Sequence, residues 1–271
     1  MRRDQAFRQL HNGHLLVLPN AWDAGTARLI ESQGAAAIAT TSAGLAWSHG
    51  YPDGNALPIG RLLDSVRAIA RVIRVPLTID IEGGYSDDPV AAGSLVAAVV
   101  DAGAVGINIE DGSGPVDLMC AKIAAARTSA QRAGVELFIN ARTDVYLRGL
   151  AENEDAVAEV KRRAGRYRDA GCDGLFVPGL SDGIEIEAIA AAIDPLPLNI
   201  MIVPGLVAHE QLHACGVRRL SAGCAITQAA LGHVARLTID LLAGRSGKLF
   251  VNAADYAELN ALFSGGEGKS E

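Results

Sequence analysis

The stretch Val90-Ala-Ala-Gly-Ser-Leu-Val-Ala-Ala-Val-Val-Asp-Ala-Gly-Ala-Val-Gly-Ile-Asn-Ile-Glu-Asp111 reads as one complete unit of a repeating fold. Residues 90–102 are Ala-rich and apolar at helical spacing, and Gly103 suits the left-handed residue that ends a helix. A short apolar strand, Gly106–Ile109, follows within a few residues, and two carboxylates, Glu110 and Asp111, stand just past its end. The helix-ending phrase recurs at Gln33-Gly34, Ala133-Gly134, Ala170-Gly171 and Cys215-Gly216.

Outward from that unit, eight apolar runs stand out: Leu15–Leu18, Ala36–Thr40, Leu77–Ile81, Gly106–Ile109, Leu137–Ala141, Gly174–Val177, Asn199–Val203 and Arg219–Ser221. Helical segments lie between them at Asp64–Ile73, Val90–Ala102, Ala121–Ala133, Glu154–Ala170, Glu185–Ile193 and His209–Ala214. Strand alternating with helix eight times predicts an α/β fold, a (β/α)8 TIM-type barrel whose strands are apolar because both faces are buried. A doubly wound open sheet is the competing architecture, and no glycine-rich dinucleotide fingerprint supports it. The expected organisation is one barrel domain over residues 1–263 with a flexible, Gly-rich and charged tail over 264–271. Gln228–Ala243 and Tyr256–Phe263 add helix beyond the eighth strand, available to pack on a neighbouring subunit.

A chain of 271 residues, 49% hydrophobic, buries a sizeable core. The net charge of −7, with no long run of Lys and Arg, argues against nucleic acid and against anionic membranes as partners. Small anionic substrates remain open, because local charge decides their binding. Cys120, Cys172, Cys215 and Cys224 have no CxxC spacing and read as reduced thiols of a cytoplasmic protein. The apolar stretch Leu15–Leu18 stops at Pro19, too short for a signal segment, and no apolar run approaches membrane-spanning length.

In such a barrel the loops after the strands build the active site. In order they carry Asn20 and Asp23; Thr41, Ser42 and Gly44; Asp80 and Glu82; Glu110 and Asp111; Asn140, Arg142 and Asp144; Pro178; Pro204-Gly205; and Ser221. Asp80 and Glu82 alternate at a strand end, so both can point to one side with Glu110 beside them, a hard-oxygen set suited to Mg2+ or Mn2+. The bland alternative is three solvated carboxylates. Arg142 either grips a substrate carboxylate through two hydrogen bonds or pairs with Asp144 or Glu110. Thr41-Ser42-Ala43-Gly44 is a small-residue turn able to offer amides to an anionic oxygen.

Six phrases carry a family likeness: Leu-Pro-Asn-Ala-Trp-Asp-Ala at 18–24, Thr-Ser-Ala-Gly at 41–44, Gly-Tyr-Pro-Asp-Gly at 50–54, Asp-Ile-Glu at 80–82, Ile-Glu-Asp at 109–111 and Asn-Ala-Arg-Thr-Asp at 140–144. Together they resemble the isocitrate lyase/phosphoenolpyruvate mutase superfamily. The resemblance implies a barrel whose last helix is exchanged between subunits of a homodimer or a homotetramer, acting on short 2-oxo acids with Mg2+. It implies further that Asp80 binds the metal, with Glu82 and Glu110 holding it through water and Asp53 assisting. Ser42, Ala43 and Gly44 would face the enolate oxygen, and Arg142 would take the carboxylate.

The likeness fails after the fourth strand. Lyases of the family carry Lys-Lys/Arg-Cys-Gly-His there, whereas this chain reads Gly112-Ser-Gly-Pro-Val-Asp-Leu-Met-Cys-Ala-Lys122, and the Lys and Asn-Ser of the mutases are also missing. Gly112, Gly114 and Pro115 suit either a gating loop or an ordinary surface loop. The retained parts supply an electron sink without an obvious proton donor. The reading is therefore a Mg2+-dependent enzyme that cleaves a C–C bond of a small 2-oxo (di)carboxylic acid, most economically by decarboxylating oxaloacetate. The competitors are a phosphonopyruvate hydrolase, another lyase drawing its acid from His233 or Tyr85, and a barrel that binds 2-oxo acids without turnover.

Overall fold

Pro19 sits where the barrel begins and closes. The computed structural model describes residues 1–264, and in it strand β1 (Leu16–Leu18) pairs in parallel with β9 (Val217–Ser221), while β2 (Asn20–Ala21) pairs with β3 (Ile38–Thr40). Proline has no N–H to give a ladder. The Leu18 carbonyl accepts from Ala222 N at 3.1 Å on one side and the Pro19 carbonyl from Ala39 N at 3.2 Å on the other. The first barrel strand thus passes its hydrogen bonds from one neighbour to the other across the proline.

The remaining strands are β4 (Leu77–Asp80), β5 (Gly106–Glu110), β6 (Phe138–Arg142), β7 (Gly174–Phe176) and β8 (Leu198–Met201). All pair in parallel in the order β1-β9-β8-β7-β6-β5-β4-β3-β2, so the nine segments fill the eight positions of a TIM-type barrel. Helices alternate with them: α1 (Arg3–Gln9), α2 (Ala24–Ser32), α3 (Ser42–Ser48), α4 (Ile59–Val72), α5 (Pro89–Asp101), α6 (Val116–Arg132), α7 (Asn153–Ala170), α8 (Gly183–Ile193) and α9 (His209–Ala214). After β9 come α10 (Ala225–Leu242), a 3-10 turn (Ser246–Phe250) and α11 (Tyr256–Ser264). Apart from Ser264, the tail expected over 264–271 lies outside the described residues. All eight expected strands are present, and the five glycines read as helix terminators (34, 103, 134, 171 and 216) have φ between +67° and +111°.

The strands are not apolar on both faces. Along β5, Ile107 and Ile109 point outward into the layer shared with the helices, each fully buried and contributing about 1.5–3 kcal/mol. Gly106, Asn108 and Glu110 alternate with them and face the barrel axis, as do Phe138, Asn140 and Arg142 on β6. Inside, Asn140 Nδ2 donates to Asn108 Oδ1 at 2.9 Å, and the fully buried Arg219 donates to the same oxygen at 3.1 Å. Burial pushes Arg219 down to about 9.

Helix α1 plugs the far end. Phe7 packs edge-on against Phe138 with centroids 5.6 Å apart, and His11 stacks on the same ring at 3.9 Å. Gly106 is glycine because of this plug: a Cβ there would stand 2.7 Å from Phe7 Cε1 and 2.8 Å from Thr78 Oγ1. The C-terminal end of the barrel is left open, and there the strand-exit residues collect. Among the described residues no helix is long and apolar enough to cross a membrane.

Candidate active site

Asp80 is the last residue of β4 and its carboxylate is held from two sides. Oδ1 accepts from Glu82 N at 3.1 Å and Oδ2 from Ser42 N at 3.3 Å, while its own N–H donates to Thr40 Oγ1 at 2.9 Å. Burial pushes the Asp80 carboxyl above the usual range, with Arg142 opposing and Asp53 reinforcing the shift. Ser42 opens α3, so the small-residue turn of the sequence is a helical first turn whose amides have no partner within the helix.

Glu82 departs from the expected placement. The strand has stopped at Asp80 and Glu82 sits at φ +51°, so the two acids do not alternate on one face. Oε1 of Glu82 accepts from Tyr85 Oη at 2.9 Å and Oε2 accepts from Asn55 N, which clips the loop carrying the exposed Asp53 to the site. Burial raises Glu82, and the neighbouring Asp80 and Asp53 add to it. Tyr85 is pushed well above its ordinary value, chiefly by burial and by Glu82, which keeps its hydroxyl protonated as the donor to Glu82.

Glu110 and Arg142 are register partners on β5 and β6. Arg142 Nη1 lies 2.6 Å from Glu110 Oε2, Nε lies 2.7 Å from Asp144 Oδ1, and the guanidinium stands 5.9 Å from the Phe176 ring centroid. Both ion pairs weighed from the sequence are therefore made at once. Burial nonetheless pushes Glu110 up to about 8, with Arg142 opposing and Asp80, Asp144 and Glu82 reinforcing. Among the described residues no three His, Cys, Asp or Glu side chains converge tightly enough to ligate an ion directly. The arrangement is one fixed carboxylate, Asp80, with further acids around it at longer range. That suits a hard cation which keeps several of its waters.

Several strand-exit residues turn out to be struts. Asp111 accepts from Asp144 N at 2.9 Å, Arg163 Nη1 at 2.7 Å and Tyr167 Oη at 2.5 Å. Asn20 ties Thr40 O (2.7 Å) to Gly223 N (3.0 Å), and Asp23 caps α2 through Thr26 N at 2.7 Å. Cys120 faces α7, where its thiol donates to the Arg166 carbonyl at 3.6 Å. A cleft of about 210 Å³ opens beside Glu110, lined among others by Asn55, Gly83, Gly112, Lys122 and Arg148. The sequence reading passed over both cations. Arg148 had a signal, its i,i+4 spacing from Asp144; Lys122, in the middle of an Ala-rich helix, had none.

Gly44 packs so closely that a Cβ would lie 2.7 Å from Thr41 Cγ2, 2.8 Å from Thr227 Oγ1 and 3.0 Å from Trp22 Cβ. Gly44→Ala is expected to cost about 1–3 kcal/mol by overpacking and to pull the first turn of α3 off Asp80. Thermal denaturation followed by circular dichroism checks this, and an unchanged midpoint would show that the turn has slack.

The phosphoenolpyruvate phosphomutase family model matches residues 7–242, most of the chain. The chain belongs to this family. It is an enzyme of the isocitrate lyase/phosphoenolpyruvate mutase superfamily. An uncharacterized protein of Mycobacterium tuberculosis is 38% identical over 260 residues, covering 94% of this chain and 95% of the relative. An oxaloacetate decarboxylase of Ectopseudomonas mendocina is 32% identical over 228 residues, covering 78% and 71%. The crystal structure of a phosphonopyruvate hydrolase in complex with oxalate and Mg2+ superimposes with a TM-score of 0.85 at 25% identity, covering 98% of this chain and 96% of that one.

Proposed function

We propose that this protein is a Mg2+-dependent enzyme that cleaves a C–C bond of a small 2-oxo (di)carboxylic acid through an enolate, and that its reaction is the decarboxylation of oxaloacetate to pyruvate. The observation that carries this is Asp80, fixed between the first-turn amides of α3 and a rim of acids, with Arg142 two strands away. Asp80 would hold Mg2+ or Mn2+, with Glu82, Glu110 and Asp53 acting through water. When bound, the cation supplies Lewis-acid polarisation of the 2-oxo group.

The chain's own residues do the rest. The substrate carboxylate displaces Glu110 from Arg142 Nη1, and the amides of Ala43 and Gly44, beside the Ser42 amide that holds Asp80, meet the developing enolate oxygen, each free donor worth about 2.7–4 kcal/mol. The C3–C4 bond breaks, CO2 leaves, its electron pair enters the enolate, and water returns a proton to C3. Carbon dioxide departs without a general acid, which fits a chain whose Cys120 thiol faces α7. C–P cleavage of phosphonopyruvate would use the same sink. The hydrolase with oxalate and Mg2+ is the support for that second reading and for the metal.

The test is pyruvate formation from oxaloacetate by purified protein with Mg2+, against a no-enzyme control because free Mg2+ promotes the same reaction. Saturable turnover abolished by chelator is expected; a rate no higher than the control would overturn the substrate. Metal affinity should also rise with pH. Burial raises the Glu110 carboxyl and a cation beside it favours the ionised form, so binding should tighten as pH rises, with proton release. Calorimetry in two buffers of different ionisation enthalpy measures that release.

The working form is one barrel domain over residues 1–263, cytoplasmic, with Cys120, Cys172, Cys215 and Cys224 unpaired, in a homodimer or homotetramer joined through its last helices. Of the 18 residues of α10 only Thr227 is buried, and Leu242 and Phe250 are 83% and 79% exposed. Light scattering on the eluted protein should give two or four chains per particle.

A further inference from the structure

The reaction as set out leaves two cations of the cleft unused. Arg148 stands in the turn after β6, where its Nε donates to Asp144 Oδ2 at 2.9 Å. Among the described residues its side chain makes no other hydrogen bond, so the two-pronged Nη edge of the guanidinium is free, and the side chain is 50% exposed. The guanidinium lies over Gly112, where a Cβ would come within 3.8 Å of Nη2. Lys122, on α6, reaches the same cleft from below. It is nearly buried, and its Nζ donates to Gly83 O at 2.8 Å and to Asp87 Oδ1 at 3.4 Å, leaving one of three N–H groups over.

The surrounding carboxylates do not neutralise the pair. Asp144 is shared between Arg142 and Arg148. Asp111 is engaged by Arg163, Tyr167 and a backbone amide. Asp87 holds Lys122 only at 3.4 Å, and its own side chain is 94% exposed. If Glu110 belongs to the metal, as proposed above, one guanidinium and one ammonium, Arg148 and Lys122, line this space with Asp87 and Asp111, and Asp111 is already taken by Arg163. A planar guanidinium with a free edge is the shape that takes a carboxylate or a tetrahedral oxyanion through two hydrogen bonds. At about 210 Å³ the cleft is smaller than the roughly 300–1,000 Å³ of sites for larger ligands, so it fits a compact group and not a chain.

We propose that Arg148, backed by Lys122, receives a second anionic group carried on C3 of the 2-oxo acid, and so selects substrates with two charged ends. This rests on the reading of Asp80 and Arg142 as the end that takes the 2-oxo carboxylate. The two cations line the cleft beside the Gly112, Gly114 and Pro115 loop that follows β5. The distal group is a carboxylate or a phosphonate, and the two leave different kinetic marks. A departing carboxylate becomes neutral CO2, so Arg148 holds it more tightly before the transition state than in it. A departing phosphonate group keeps its charge throughout.

The experiment compares wild type, Arg148→Gln and Arg148→Lys, all loaded with Mg2+, by titration calorimetry with oxalate, pyruvate and 3-sulfopyruvate. Oxalate reports the metal end alone, and sulfopyruvate adds an anion on C3 that does not leave. Wild type is expected to bind sulfopyruvate about tenfold tighter than pyruvate, as one charge-assisted two-pronged contact requires. Arg148→Gln should erase that preference while oxalate affinity holds within about twofold, and Arg148→Lys should keep part of it. A preference that survives Arg148→Gln, or an oxalate affinity that falls in step with it, overturns the inference. Oxalate binding without any sulfopyruvate preference in wild type overturns the inference alone; no oxalate binding overturns the underlying site as well. Turnover then identifies the group. With oxaloacetate Arg148→Gln raises KM and leaves kcat unchanged or higher, whereas with phosphonopyruvate kcat falls too. A variant matching wild type on both substrates would again overturn it.

Discussion

Asp80→Asn is expected to lower Mg2+-dependent turnover by about 10³-fold or more while raising the thermal midpoint of the metal-free protein. The loss follows from the site: about 4 kcal/mol of charge stabilisation, the order supplied by a Lewis-acid cation, is roughly a factor of 10³ in rate. The gain follows from linkage. Burial holds the Asp80 carboxyl above its unfolded value, so the ionised form is disfavoured in the fold. The resulting destabilisation is absent below the ordinary carboxyl value of 3.8 and grows as pH rises from there toward the folded pKa, so it is present near neutrality. Asn removes the charge and keeps one oxygen to accept from Ser42 N or Glu82 N. A second mark separates this from general damage. Mg2+ should raise the midpoint of wild type by mass action and leave that of Asp80→Asn unmoved. A variant that retains Mg2+-dependent activity would remove Asp80 from the metal.

The same residue shows what a linear reading can and cannot reach. Asp80 was legible because a carboxylate placed at a strand exit avoids the desolvation that the interior of a strand imposes, and the structure puts it there. The barrel was legible because helix-ending glycines and short apolar runs repeat in register with the chain, and each of those glycines adopts the left-handed conformation that explains it. Glu82 was misplaced because strict alternation was carried two residues past the end of β4, into a turn at φ +51°. Pro19 splitting the first strand escaped notice, since a proline after an apolar run reads as a stop. Asn108, Asn140 and Arg219 line the axis rather than a loop, and Asn108 and Arg219 meet across 111 positions of sequence. No spacing rule sees such a contact. The plug formed by Phe7 and His11 was hidden for a related reason, because α1 is short and the segment around it is largely polar.

Asp111→Ala is the substitution expected to cost the most stability, about 3–5 kcal/mol, although the residue follows a metal-site candidate directly. Its carboxylate is fully buried and holds three donors: Arg163 Nη1, Tyr167 Oη and the backbone N of Asp144. Deleting one partner of a buried ion pair leaves the other charge without compensation, and that cost exceeds what the intact pair contributes. Arg163 keeps Glu159 at 2.6 Å, which softens the loss without closing it, and Tyr167, wholly inside, has nowhere to turn its hydroxyl. At about 2–4 °C per kcal/mol for chains near this size, the midpoint should fall by on the order of 10 °C. The double variant Asp111→Ala/Arg163→Met should recover much of it, because removing both charges leaves none stranded. A midpoint within about 1 °C of wild type for the single variant would show that solvent reaches Arg163 and that the network carries little. The effect also propagates to the substrate. Asp111 fixes the backbone of Asp144, and Asp144 fixes both Arg142 and Arg148. Measured well below its own midpoint, the single variant should therefore bind 2-oxo acids more weakly even with Asp80 and the α3 amides intact, since the guanidinium that meets the carboxylate has lost the strut behind it.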